Sequence, residues 1–109
     1  MKLTTSFFLF IFSFSSWISI GQTIISGKVT EANGTPILGA NVYIDGTYDG
    51  TSSSENGEFI FETSEEGEHT LIVSFLSFEN YTLKVNVSEM KNLTIKLRED
   101  VNSLDAVVI

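Results

Sequence analysis

The sequence predicts an all-β protein, a small β-sandwich of seven short and mostly antiparallel strands. Runs of alternating apolar and polar residues recur about every 8–12 residues, which is typical of sandwiches and barrels. Glycines, several of them preceded by Asn or Asp, separate these runs where the chain must turn. No segment shows a sustained helical period. The runs follow one another too closely for parallel crossovers, which need about a dozen residues or more.

The first predicted strand covers residues 24–31, with Ile25 and Val29 on one face. Asn33-Gly34 follows and predicts a tight turn, because both residues tolerate positive φ. Pro36 has no amide donor, so it indicates a connection or a sheet edge and not a central strand.

Two short strands come next. Residues 40–44 form an apolar strand, and residues 51–54 form a polar one that suits a sheet edge. Asp45-Gly46 and Asp49-Gly50 lie between them, and both pairs predict turns.

Asn56-Gly57 is the strongest hairpin signal in the chain. It is predicted to join residues 51–54 to a fourth strand at residues 58–62. Phe59 and Phe61 share a face of that strand, because side chains alternate with a period of two.

Three further strands complete the set, after a turn at residues 65–67. Residues 88–91 are predicted to form one helical turn between the sixth and seventh strands. Apolar residues alternate in each strand: Leu71, Val73 and Phe75 in the fifth, Tyr81, Leu83, Val85 and Val87 in the sixth, and Leu93, Ile95 and Leu97 in the seventh.

Residues 1–21 predict a cleavable secretory signal peptide. Lys2 gives the positive start, residues 7–18 give a brief apolar core, and Gly21 is a small residue at the cleavage point. Cleavage there makes Gln22 the first mature residue. The alternative is a membrane anchor, but serines dilute a run that would need about 20 predominantly apolar residues. The absence of cysteine excludes a lipoprotein.

Removal of the first 21 of 109 residues leaves 88 residues, enough for one domain that buries about 60–65% of its unfolded surface. Five basic residues then face fourteen acidic ones, a net charge of −9. Such a surface repels phosphate backbones, which argues against nucleic acid as a partner. The acidic residues between Asp45 and Glu68 are otherwise a solvated face.

The C-terminal tail breaks the strand pattern. Residues 99–109 are predicted to be a linker followed by an apolar, β-prone segment, with Leu104, Asp105, Val107 and Val108 as candidate partner-binding residues. An unpaired strand of this kind is prone to aggregate unless it pairs with something. Either it docks on the sandwich, or the natural protein continues beyond Ile109.

Residues that enzymes use are scarce. His69 is the only histidine and there is no cysteine, so neither a Cys–His pair nor a His-rich metal site can form. No serine lies in a Gly-x-Ser-x-Gly elbow. Paired carboxylates would need a sugar-binding cleft for glycoside hydrolysis, and only the rings of Tyr43, Tyr48 and Phe59 are candidates for one. The sequence therefore predicts no catalysis and no cofactor.

Calcium is the better metal candidate, because it binds carboxylate and carbonyl oxygens in loops. Asp45, Asp49, Glu55 and Asn56 lie in adjacent predicted turns, although their spacing matches no EF-hand loop. Turn formation alone explains these residues, so they remain weak calcium candidates.

Residues 24–98 resemble the carboxypeptidase-D regulatory-like domain. The resemblance implies a seven-stranded, transthyretin-like sandwich, and in the carboxypeptidases this domain is the non-catalytic part. Three departures from the family pattern are Ser54 for Asp, Ser77 for Gly and Ala106 for Glu. The matching motifs are Gly27-Lys-Val-Thr, Gly34-Thr-Pro-Ile-Leu-Gly-Ala-Asn-Val-Tyr-Ile44, Gly46-Thr47, Gly50-Thr51, Asn56-Gly-Glu-Phe59, Gly67, Leu71 to Phe75, and Phe78-Glu79.

Such domains are common at the N-terminus of Bacteroidetes TonB-dependent receptors, including SusC-like transporters. The resemblance implies a periplasmic module ahead of a plug and a barrel in the outer membrane of a Gram-negative bacterium. Its expected partners are the rest of the receptor or a periplasmic energy-coupling protein. The alternative is a stand-alone secreted binding or adhesion module, for carbohydrate for example.

Overall fold

A computed structural model describes residues 21–101 of the chain. Within them the chain forms strands in all seven predicted places, together with one short 3-10 helix, Val87–Glu89, at the predicted helical turn. The all-β prediction is therefore confirmed. The strands are β1 (Thr23–Glu31), β2 (Asn41–Ile44), β3 (Gly50–Ser52), β4 (Glu58–Thr63), β5 (Glu68–Ser74), β6 (Tyr81–Asn86) and β7 (Leu93–Leu97).

The strands form two sheets. One has three strands in the order β4-β1-β7, and the other has four in the order β3-β2-β5-β6. Every neighbouring pair is antiparallel except β1 and β7, which run parallel. The mostly antiparallel sandwich is thus confirmed.

The core lies between the sheets and follows the period of two. Ile25 and Val29 of β1 are fully buried, and Phe59 and Phe61 of β4 point inward beside them as predicted. The hydrophobic effect over these inward faces stabilises the fold, since the 3-residue and 4-residue strands contribute few ladder bonds of their own. The remaining buried apolar residues are Ile37, Ala40, Val42, Ile44, Leu71, Val73, Val87, Met90, Ile95 and Leu97.

The predicted hairpin at Asn56-Gly57 is wrong in its pairing. The turn itself is present, because Gly57 has φ +78° and its amide donates to the Ser54 carbonyl. However, β3 belongs to the four-stranded sheet and β4 to the three-stranded one, so the turn carries the chain from sheet to sheet. The Asn-Gly sequence determines that the chain turns here, but it does not determine which strands β3 and β4 pair with.

The predicted turn at Asp49-Gly50 is also wrong, whereas Asp45-Gly46 does turn, with Gly46 at φ +80°. Gly50 is the first residue of β3 and lies opposite Tyr43. A Cβ at Gly50 would lie 2.5 Å from the Val42 carbonyl oxygen and 2.7 Å from the Tyr43 Cβ. This glycine is needed for close strand approach and not for positive φ.

The start of the predicted linker is joined to the sandwich. The Glu79 amide donates to the Arg98 carbonyl at 2.8 Å, and the Asp100 amide donates to the Ser77 carbonyl at 2.9 Å. Phe78 and Glu99 form an antiparallel bridge between these bonds. Residues 98–100 therefore belong to the folded unit, and any linker begins after them.

Candidate functional site: the exit end of the sandwich

We call one end of the sandwich the exit end, because β7 finishes there and the chain continues past Val101. The strand directions and registers place four segments at this end: residues 32–40, 53–57, 75–80 and 98–101. The turns at residues 45–49 and 64–67 and the 3-10 helix lie at the opposite end.

Three large apolar side chains are exposed at the exit end. Leu38 is 59% exposed, Leu76 86% and Val101 64%. The Phe78–Glu99 bridge and the bond from the Asp100 amide to the Ser77 carbonyl bring the segment that leads to Val101 beside the 75–80 loop, which contains Leu76. Leu76 and Val101 therefore come from neighbouring segments.

Aromatic packing holds the 75–80 loop in place beneath these side chains. The rings of Phe75 and Phe78 lie 5.9 Å apart, and both pack against the core. A Cβ at Gly39 would lie 3.9 Å from the Phe75 ring, which places the residue after Leu38 beside this pair. Leu76 thus lies in a loop that the packing of Phe75 and Phe78 holds in position.

A groove of about 360 Å³ opens at the same end. Its walls are the β1–β2 turn at residues 31–33 and the outgoing segment 97–99, with Phe78 between them. Its lining combines the charged residues Glu31, Arg98 and Glu99 with the apolar residues Ala32, Phe78 and Leu97.

Sequence reasoning did not single out Leu38 or Leu76. The signal for Leu76 was available, because Leu71, Val73 and Phe75 alternate inward and so place residue 76 outward. Leu38 lies in an irregular loop, where no periodicity predicts which way a side chain points.

The four calcium candidates do not come together. Asp45 and Asp49 follow the end of β2, whereas Glu55 and Asn56 lie beyond Ser52, which pairs with the first residue of β2. The length of the β2–β3 ladder, about 3.3 Å per residue, separates the two pairs. Asp49 Oδ2 also accepts a 2.6 Å hydrogen bond from Thr63 Oγ1. Residues 21–101 contain no cluster of three acidic or imidazole side chains that could hold a metal.

His69 has only local contacts. Its Nε2 lies 3.1 Å from the Glu66 carbonyl oxygen and 4.0 Å from a Glu65 carboxylate oxygen. Neither contact is the serine hydroxyl that a nucleophile would require.

Of the three rings considered for a sugar cleft, only two lie on the same surface. Phe59 is 4% exposed and belongs to the core, so it cannot offer a ring to a ligand. Tyr43 and Tyr48 do line one open concavity, on the outer face of the four-stranded sheet, with Asn41, Ser52 and Ser74. Tyr48 is fully exposed there.

Two sets of predicted residues lie outside the described part of the chain. They are the signal peptide, apart from Gly21, and the tail residues Leu104, Asp105, Val107 and Val108. Among residues 21–101 there is no helix with the length and hydropathy needed to cross a bilayer.

Comparison with known sequences identifies a family and a group of relatives. The sequence model of the CarboxypepD_reg-like domain matches residues 25–109. The TonB-dependent receptor SusC of Bacteroides thetaiotaomicron is 31% identical over 88 residues, covering 81% of this chain and 8% of that receptor. A TonB-dependent receptor of Formosa agariphila is 26% identical over 109 residues, covering 99% of this chain and 11% of that receptor. The chain therefore spans about a tenth of the length of these relatives.

Comparison with solved structures gives the same architecture. A chain from a type II cohesin–X-dockerin complex of Acetivibrio cellulolyticus superposes with a TM-score of 0.59 at 23% identity, covering 71% of this chain and 58% of that one. A chain from a second mutant of that complex gives 0.52 at 22% identity, covering 68% and 51%. At this identity the likeness concerns the fold alone.

Proposed function

Since the chain belongs to the CarboxypepD_reg-like domain family, we propose that it serves as a non-catalytic periplasmic module at the N-terminus of a TonB-dependent outer-membrane receptor. The observation that carries this proposal is the match over residues 25–109 together with relatives that are all TonB-dependent receptors. Because the chain corresponds to about a tenth of such a receptor, transport itself would belong to the plug and barrel.

A non-catalytic role fits the chemistry of the described residues. The acidic side chains of the turns are dispersed over both ends of the sandwich, and the only histidine contacts a carbonyl and a carboxylate. Activation of a nucleophile by His69 would need a hydroxyl within hydrogen-bond reach of its ring, and its contacts are a carbonyl and a carboxylate instead. The module would therefore act by binding other protein at its surface.

We further propose the following organisation for the chain. Residues 1–21 direct export and are removed, and residues 22–98 form the sandwich. Residues 99–109, of which the first two are bonded to the 75–80 loop, lead towards the plug. Leu104, Asp105, Val107 and Val108 would contact the rest of the receptor or a periplasmic energy-coupling protein. An extended segment can add to the edge of a partner's sheet, where main-chain hydrogen bonds supply the affinity.

Cell fractionation tests this function. An antibody raised against the folded domain should detect the protein in the outer-membrane fraction, and external protease should degrade it only after the outer membrane is permeabilised. N-terminal sequencing of that protein should begin at Gln22. Recovery of the domain from the culture medium, with none in the membrane fraction, would contradict the proposal.

A second candidate function is a secreted carbohydrate-binding module. The concavity with Tyr43 and Tyr48 favours it, because exposed rings beside amide and hydroxyl groups offer both apolar contact and hydrogen bonds. A glycan array would reveal specific, saturable binding that disappears when both tyrosines are changed to alanine. Equal signals from the parent chain and the double variant would rule this function out.

A further inference from the structure

We infer that residues 104–109 dock on the exit end of their own domain, covering Leu38, Leu76 and Val101. The inference concerns the chain itself and holds whether or not the module belongs to a receptor. A partner that takes up the tail would first have to displace it from this site.

The first support is that the exposed leucine is held in position. Leu76 lies between Phe75, whose ring packs on the core and on Phe78, and Ser77, whose carbonyl accepts a hydrogen bond from Asp100. An apolar side chain on a mobile loop could fold back against the surface, but this loop is fixed on both sides. The Leu76 side chain, which is 86% exposed, therefore forms a fixed apolar surface that a neighbouring segment can cover.

The second support is the direction of the outgoing chain. The Asp100 amide donates to the Ser77 carbonyl, so the chain runs antiparallel to residues 77–79 as it leaves the sandwich. Leu104 lies three residues beyond Val101, which at about 3.5 Å per residue keeps its Cα within roughly 11 Å. The start of the tail is thus confined to the neighbourhood of Leu76.

The third support is the size of the apolar surface, which is too small for a separate protein but sufficient for a segment of the same chain. A stable interface between separate proteins buries about 1,200–2,000 Å² in total. Three side chains at one end of a small sandwich fall well short of that area. A tethered segment needs far less surface, because its effective concentration at a nearby site is about millimolar.

The fourth support is the composition of the tail. Leu104, Val107, Val108 and Ile109 are apolar, and Asp105 is the only charged residue in the segment. Burial of apolar side chains against Leu76 and Val101 would remove exposed apolar area from water on both partners. An exposed apolar and β-prone segment would otherwise be an aggregation hazard.

Amide hydrogen exchange measured by NMR on the full chain tests this inference. The amides of Val107 and Val108 should exchange at least tenfold more slowly than in a free peptide of the same sequence, because docking excludes water from them. In Leu76→Ser the protection should be lost. Ile60→Ser is the matched control, since Ile60 is 66% exposed on the outer face of the three-stranded sheet. It should leave the tail protected.

Two further measurements make the outcome decisive. Exchange at Val42, which is 1% exposed in the core, should be the same in all three proteins and so show that each is folded. Protection that rises with protein concentration would indicate a second copy of the chain and overturn the intramolecular site. Free-peptide exchange rates in the parent chain, or protection that survives Leu76→Ser, would also overturn it.

Discussion

Gly46 and Gly57 have nearly the same backbone angle but different surroundings. Their φ values are +80° and +78°, a region that costs an L-residue about 1–2 kcal/mol. A Cβ at Gly46 would meet nothing within 4 Å. A Cβ at Gly57 would overlap the Val29 carbonyl oxygen, so Gly57 is required by both conformation and space.

We therefore predict that Gly46→Ala lowers the free energy of unfolding by about 1 kcal/mol, from conformational strain alone. Gly57→Ala should lower it by about 3 kcal/mol, because overpacking against the backbone adds to the strain. Urea titration of both variants measures the two values. Equal losses would show that the contact with Val29 does not constrain the turn.

Thr30 and Thr63 are both buried strand residues with opposite hydrogen-bond status. The Thr30 hydroxyl has no hydrogen-bond partner among the described residues. The Thr63 hydroxyl donates to Asp49 Oδ2 at 2.6 Å and accepts from the Glu65 amide at 3.1 Å. A buried polar group without a partner costs about 1–3 kcal/mol, whereas a satisfied one is stabilising.

Thr30→Val should consequently raise the free energy of unfolding by about 1 kcal/mol, and Thr63→Val should lower it by about 1–3 kcal/mol. The two changes remove the same hydroxyl and add the same methyl group, so each is the control for the other. Thermal and urea unfolding would give the signs. A loss of stability in both variants would contradict the assignment of Thr30 as unsatisfied.

At the scale of elements, one buried side chain adds two hydrogen bonds to the connection between β1 and β2. The Ser53 hydroxyl donates to the Ile37 carbonyl and accepts from the Ala40 amide, which ties this crossover to the segment after β3. Ser53 is 3% exposed, so water cannot replace either bond.

Ser53→Ala should lower the free energy of unfolding by about 2 kcal/mol, since it leaves a buried amide and a buried carbonyl unpaired. Ser54→Ala, at the exposed neighbouring position, should change it by less than about 0.5 kcal/mol. Denaturant titration compares them. A Ser53→Ala variant as stable as Ser54→Ala would mean that the crossover is held by other contacts.

The loop between β5 and β6 contains the one departure from the family pattern that the structure explains. Ser77 has φ +70°. Glycine adopts this left-handed conformation without steric cost, whereas serine is strained in it. The family's preference for glycine at this point is therefore a geometric requirement that this chain meets at some cost.

Ser77→Gly should raise the free energy of unfolding by about 0.5–1 kcal/mol, because relief of the left-handed strain outweighs the added freedom of the unfolded chain. Ser64→Gly is the control, because Ser64 is exposed and is not among the residues with positive φ. It should be slightly destabilising. The prediction fails if the two glycine variants lose stability alike.

The sequence was sufficient for the parts of the fold that depend on local chemistry. Alternation placed the strands, and Asn33-Gly34 and Asp45-Gly46 turn as expected. It could not assign β3 and β4 to different sheets or pair β1 with β7, because those choices depend on residues far apart in the chain. The turn predicted at Gly50 was wrong, because a glycine needed for close packing follows Asp in the sequence just as one needed for a turn does.

At the scale of the whole molecule, the two ends of the sandwich differ in character. The exit end carries exposed Leu38, Leu76 and Val101 beside the outgoing chain. The opposite end carries short turns, one of which contains the exposed Tyr48, and there the Asp49 and Thr63 side chains bond to each other. This asymmetry suits a module that is attached to other protein at one end. The sequence predicted the position of the C-terminal tail, but it did not predict the exposed apolar surface of the exit end beside the tail.

The central claim is that this sandwich is one module of a much longer receptor, and the mass of the native polypeptide tests it most directly. Mass spectrometry of size-separated outer-membrane proteins would locate peptides from residues 22–98. The account predicts that they occur in a polypeptide about ten times as long as this domain, as in relatives of which the chain covers 8–11%. Recovery of these peptides only as a free polypeptide of about 88 residues would contradict it.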